Sequence, residues 1–198
     1  MKFLDISADG ETTYRLKENE QGVFFMHNRS GDLTFELLGP GATAHVLAFC
    51  TGRGTNETTL HIHQRHLAPH TTSRVVVKSV LTDEARFSYR GTLHIAQDAP
   101  LSDASQENRN LLLSRDAKAF SLPALEILSS DVRCHHAATT SPLNRDTLYA
   151  LMARGLSQRE ARDLLVHGFI HSSVDTLETL VGREDREKML SLMEKITL

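Results

Sequence analysis

The chain has 198 residues, 22 basic and 25 acidic side chains for a net charge of −3, eleven histidines, two cysteines and no tryptophan. That length buries a core as one domain or one domain with an appendage. The scattered lysines and arginines make no basic face for nucleic acid, and no apolar run reaches the ~20 residues of a membrane span. The opening MKFLDISADGETTYRL has early acids and no long apolar stretch, so no secretory leader is expected. Two distant cysteines, Cys50 and Cys134, make no disulfide framework, and a soluble cytoplasmic protein with free thiols is the expectation.

The first two thirds of the chain reads as strands. VFFMH, LTFELL, AHVLAFC, TLHIHQRHL, SRVVVKSVL, ARFSYRGTLHIA, NLLLS and ALEILSSDV alternate apolar and polar residues or are rich in β-branched side chains. Turn signals separate them at Asn28-Arg29-Ser30-Gly31, Gly39-Pro40-Gly41, Gly52-Arg53-Gly54 and Ala99-Pro100. No amphipathic helix intervenes, which argues against alternating α/β architecture and for a sandwich, barrel or β-solenoid. After Ser141 the period becomes helical. Leu148, Leu151 and Met152 share a face of a helix expected over 144–154, which stops at Gly155. Ser157 and Glu160 form a capping box opening a second helix over 157–167, with Ala161, Leu164 and Leu165 on its apolar side and Gly168 at its end. Met189, Leu190, Leu192, Met193 and Ile196 predict a third helix. The chain therefore divides into a β body over 1–141 and a helical region over 142–198.

At the junction stands RCHHAATTS, Arg133 to Ser141. Alternate residues of a strand share a face, so an extended Asp131–His136 aims Cys134 and His136 one way and His135 the other. Their Cα atoms would lie ~6.5 to 7 Å apart, twice the strand rise, close enough to converge on one ion or cluster edge. A thiolate and one imidazole are half a tetrahedral site, so further ligands would come from elsewhere, such as another chain. His61 and His63 share a second face, as the H-x-H pair of many cupin barrels does, but Gln64, Arg65, His66 and Leu67 follow where a glutamate would be needed. Hydrogen-bonded or solvated histidines are the simpler reading there. Cys50 ends an apolar strand and reads as a small buried hydrophobe. Gly52-Arg53-Gly54-Thr55 lacks the G-K-[ST] ending of a phosphate loop, so this chain is not expected to bind nucleotide.

Several motifs agree in order: HLAPHTTSRVVVKSVL, FSYRG, QENRNLLLS, LEILSSDVRCHHAAT and LYALMARGLSQREARDLLVHGF. Together, over about residues 58–171, they resemble the C-terminal core of the SufB/SufD family of iron–sulfur cluster assembly proteins. The resemblance implies a right-handed parallel β-helix followed by a C-terminal helical domain, dimers formed through the β-helix, and a helical tail that docks the ATPase SufC. Within the family the chain looks like the SufD branch. Asn108, Arg109 and Asn110 match its N-R-N, and Cys134, His136 and Thr139 match C-[SH]-H-[GA]-A-T. The SufB branch carries a cysteine near Arg109 and a glutamate where Ala137 stands, and both are missing here.

The implied function is a short SufD-like scaffold subunit, not an enzyme. It pairs with itself or a SufB-like subunit and docks a SufC-like ATPase through Leu148, Tyr149, Met152, Arg154 and Leu156. A transient iron–sulfur cluster would form at the subunit interface near His136 and Cys134. The alternatives are a small cupin-like metal-dependent enzyme using His61 and His63, or an interaction module of the same fold without cluster chemistry.

Overall fold

A computed structural model describes residues 1–172 and 181–196; parts of the expected helical region, 173–180 and 197–198, lie outside them. Strands alternate between two sheets. One runs β1 (Lys2–Asp5), β3 (Gln21–His27), β5 (Thr43–Gly52), β7 (Thr72–Leu81), β9 (Asp103–Leu112), β11 (Arg133–Pro142) in spatial order. The other holds β2 (Thr13–Leu16), β4 (Gly31–Leu37), β6 (Glu57–His66), β8 (Arg86–Ile95) and β10 (Lys118–Ile127), again as successive neighbours. Every pairing is parallel. Thr43 lies beside Thr72, 29 residues on, and Thr72 beside Asp103, 31 residues on, so each circuit of the chain adds one strand to each sheet. This is the expected parallel β-helix. A cupin barrel around His61 and His63 is overturned, because cupins are antiparallel jelly rolls and β4, β6 and β8 run parallel in an open sheet.

Burial explains which strands the sequence announced. The coil interior packs Phe24, Phe35, Val46, Leu60, Ile62, Val77 and Phe87 between the sheets. A second cluster on the outer face of the odd-numbered sheet joins Phe25, Leu47, Phe49 and Val80 to the helices. β3 and β5 are therefore buried on both faces and read as unbroken apolar runs. β6 and β8 are buried on one face and alternate cleanly. β9 begins at Asp103, seven residues before the expected NLLLS, because its inward positions Gln106, Asn108 and Asn110 are polar and mask the period. β10 covers 118–127 where the apolar pattern suggested 124–132. β1 and β2, of four residues each, are too short to announce themselves.

The helices follow. Asn144 caps α1 (Arg145–Met152) by accepting from the Thr147 N–H. The Ser157–Glu160 capping box opens α2 (Gln158–His171) as expected. α2 does not stop at Gly168 but continues to His171. A single helical glycine costs about 1 kcal/mol, and Ile170 is buried in the outer cluster while Lys78 of β7 donates to the Phe169 carbonyl and to Ser172 Oγ. α3 (Arg183–Glu194) adds Met189 and Met193 to the same cluster. α2 and α3 thus cover the outer face of β3, β5 and β7, whereas α1 buries no residue. Among the described residues no helix is long and apolar enough to cross a membrane.

Candidate functional site

β10 and β11 are the end strands of their sheets, and among the described residues no further coil is stacked on the one they form. Cys134 stands beside Ala104, His136 beside Gln106, Ala138 beside Asn108 and Thr140 beside Asn110. Those four β9 residues are buried, and β11 continues their parity. RCHHAATTS is therefore extended, with Cys134 and His136 on the coil-interior side and His135 on the outer side, as the spacing predicts. The open end makes the difference in exposure. Cys134 is half-buried against Leu93, Ile95, Ala99, Ala104 and Val132, while His136 is exposed.

The two cysteines differ in setting. Cys50 lies in the coil core, where burial pushes its thiol up to about 12, so it is inert packing. Burial also raises the Cys134 thiol, and the nearby Asp103 carboxylate adds to the shift. Cys134 is therefore no activated nucleophile; it would bind metal only where the ion displaces its proton.

Behind the open coil the interior is polar, which sequence reading missed. Asn108 and Asn110 exchange hydrogen bonds, Asn110 Nδ2 donating to Asn108 Oδ1 at 2.9 Å and Asn108 Nδ2 to Asn110 Oδ1 at 3.3 Å. Ser79 Oγ donates to Asn110 Oδ1 at 2.7 Å, and Asn110 Nδ2 lies 3.2 Å from Ser121 Oγ and 3.1 Å from Thr140 Oγ1. The N-R-N asparagines thus tie β7, β9, β10 and β11 together. Arg109 points outward and pairs with Glu107 at 2.5 Å. A second chain runs through His66, whose ring nitrogens each lie 2.7 Å from a hydroxyl, Thr71 Oγ1 and Ser73 Oγ. Gln64 donates to Ser73 Oγ at 2.7 Å and accepts from Gln106 at 3.1 Å. Gly91 makes room for this: a Cβ there would fall 2.2 Å from the Gln106 side chain. Gln106 Oε1 is buried with no hydrogen-bond partner among the described residues, on the residue paired with His136.

The residues expected to dock an ATPase lie on or just past α1. Tyr149 is 61% exposed, Arg154 is exposed, and Leu148, Met152 and Leu156 are half-buried. The same coil of the solenoid exposes Phe120, Leu122, Leu125, Ile127 and Leu128. On the outer face of the even-numbered sheet, Asp32 of β4 sits beside His61 of β6, and its carboxylate is 2.9 Å from His61 Nδ1 and 4.0 Å from His63 Nε2. Asp32 was invisible from local sequence because it lies one full coil upstream. The coil repeat, once known, would have found it.

A family model described as the SufBD core domain of SUF-system FeS cluster assembly matches residues 18–169. The chain belongs to the SufBD family. The match starts well before residue 58, where the sequence motifs begin, because β3 to β6 are coils of the same solenoid. An iron–sulfur cluster assembly SufBD family protein of Synechocystis sp. is 34% identical over 140 residues, 70% of this chain and 30% of the relative. Iron–sulfur cluster assembly protein SufB of Bacillus subtilis is 31% identical over 135 residues, 68% of this chain and 29% of its own length. Iron–sulfur cluster assembly protein SufD of Escherichia coli is 30% identical over 105 residues, 53% of this chain and 25% of its own. The chain therefore spans less than a third of these relatives.

Proposed function

We propose that this SufBD chain is a SufD-like scaffold subunit of a cytoplasmic iron–sulfur cluster assembly complex, with no catalytic chemistry of its own. The observation that carries the reading is the open last coil, which holds Cys134 and His136 on one face of an edge strand. Edge strands offer unpaired backbone groups to another chain, and Phe120, Leu122, Leu125, Ile127 and Leu128 supply apolar surface beside them. A second copy or a SufB-like subunit docks there. Cys134 and His136 then give two ligands to a nascent cluster, the cargo of the complex, and the partner gives the rest. The absence of a cysteine near Arg109, and Ala137 standing where the SufB branch has a glutamate, favour the SufD-like assignment.

ATP hydrolysis belongs to a SufC-like partner, which binds α1 and the start of α2. An amphipathic helix docks a groove through apolar anchors, and α1 has anchors the β body does not use. Leu148, Tyr149, Met152 and Leu156 fill the groove and Arg154 sits at its rim. Because α3 anchors the core through Met189 and Met193, docking is tested in the intact chain rather than by trimming the C-terminal end. Tyr149→Ala with Met152→Ala should abolish co-purification with the ATPase and leave the far-ultraviolet spectrum unchanged.

The decisive experiment is cluster formation by the reconstituted complex carrying His136→Ala, Cys134→Ser or His135→Ala. His136→Ala should slow assembly by roughly tenfold or more, the usual loss at a metal site, and His135→Ala should not. A folded, fully assembled His136→Ala complex that builds clusters at the unmutated rate would leave the chain an interaction module.

A further inference from the structure

Asp32 and His61 stand side by side in successive coils, and His63 lies two residues along β6. All three side chains leave the outer face of the even-numbered sheet, because the intervening Leu60, Ile62 and Leu33 are buried inward. One donor atom from each lies within 4.8 Å of the others, and the two imidazole rings are 3.6 Å apart by centroid. Zinc–nitrogen bonds of about 2.0–2.1 Å place ligands of one ion about 3.0–3.5 Å from each other. Asp32 Oδ1 to His61 Nδ1, 2.9 Å, and to His63 Nε2, 4.0 Å, bracket that spacing. Rotating the exposed Asp32 side chain and the two imidazoles would bring the set to that spacing.

The surroundings fit an ion. His61 Nε2 lies 3.0 Å from Thr92 Oγ1 of β8. Without metal, Nδ1–H donates to Asp32 and Nε2 accepts from the Thr92 hydroxyl. With metal, the ring proton sits on Nε2 and donates to Thr92, which frees the Nδ1 lone pair and fixes the ring, the usual support for a ligating histidine. The neighbouring Arg65 shares the Glu36 carboxylate with Arg15, and Arg65 and Arg90, the latter beside His61, limit affinity. Asp32 is 79% exposed, leaving coordination positions open to solvent. A solitary surface histidine–carboxylate pair would stabilise the fold little and would not place a second imidazole on the same oxygen.

We propose that Asp32, His61 and His63 form an exchangeable site for one divalent first-row transition-metal ion of the zinc or ferrous class, on the outer wall of the solenoid. Two imidazoles and a carboxylate are the borderline donor set such ions take. The site stands apart from Cys134 and His136, which lie on the other sheet, and does not depend on the scaffold reading.

The test is anaerobic titration of the isolated intact chain with Co²⁺, read by its visible absorption, and with Zn²⁺ by calorimetry. One equivalent should bind with a dissociation constant of about 1–100 μM, or about −5 to −8 kcal/mol. Asp32→Asn, His61→Ala and His63→Ala should each weaken it roughly tenfold or more, and His136→Ala and Cys134→Ser should not. As a second readout, zinc should raise the melting temperature of the parent chain and not of Asp32→Asn. No saturable binding, unchanged binding in the three variants, or loss on changing His136 instead would each overturn the site.

Discussion

The coil containing β5 and the coil containing β10 and β11 obey the same inward–outward alternation but differ in what covers them. In β5 every residue except Thr51 is buried, since the next coil, the even-numbered sheet and the helices enclose it. In β10 and β11 nothing is fully buried, although Leu125 and Ile127 occupy inward positions beside Leu93 and Ile95. A solenoid shows one cross-section at every rung, so a rung with inward apolar residues and no neighbour is exposed apolar surface. The same openness is what leaves the inward His136 accessible. The closed coils hold most of the packing, whereas Cys134 and His136 sit on the open one.

The sharpest way to break this contrast is to truncate a closed coil. Phe35 is fully buried and packs 5.0 Å by ring centroid from Phe24 and 5.2 Å from Tyr14. Phe35→Ala should cost about 3–5 kcal/mol, whereas Leu125→Ala should cost less than about 1 kcal/mol in the isolated chain because its site is already wet. Urea unfolding measures both. Equal losses would mean the last coil is packed after all.

The polar interior sharpens the contrast through pH. Burial holds His66 down to about 4 and His45 likewise to about 4. Unfolded histidine titrates near ~6.5, so between those values the unfolded chain binds protons that the folded one refuses. Stability is complete above the unfolded value and falls as the pH drops through that window, by about 1.4 kcal/mol per pH unit for each proton, or about 3 kcal/mol for His66 in all. His66→Gln should flatten its share of the slope. Asn110 is next in size. Asn110→Ala removes the acceptor of Ser79 and the ties to Ser121 and Thr140, and should cost about 2 kcal/mol.

How much could be read from the sequence follows this same division. β3, β5, β6, β7 and β8 are legible because their inward faces are apolar, and α2 because its capping box and face agree. Choosing a solenoid over a sandwich took the resemblance, since alternation is local and a parallel circuit is not. The facing of Cys134, His135 and His136 followed from strand parity alone. The asparagine and glutamine network was hidden because polar inward residues break the pattern that marks a strand. Asp32 was hidden for a different reason: the residue that completes the His61–His63 pair is adjacent only across the coil repeat.

The smallest effect on stability belongs to the outward apolar residues of β10, and it distinguishes an interface from an accident. Phe120 and Leu122 are 57% and 56% exposed on the outer side of the end strand. Replacing such residues by serine removes little packing from the isolated chain, so Phe120→Ser with Leu122→Ser should change unfolding free energy by no more than about 0.5 kcal/mol. Association should change far more, because residues that contribute nothing to the fold contribute wholly to whatever covers them. Sedimentation of the parent chain at tens of micromolar should show a dimer, and the double variant should sediment as a monomer at the same concentration, near the ~10 μM scale where weak interfaces dissociate. If both sediment as monomers, the surface awaits a different subunit, and the double variant should then fail to join a SufB-like chain. A variant that destabilises the fold instead would show that Phe120 and Leu122 pack inside this chain, and the contrast between closed and open coils would fail.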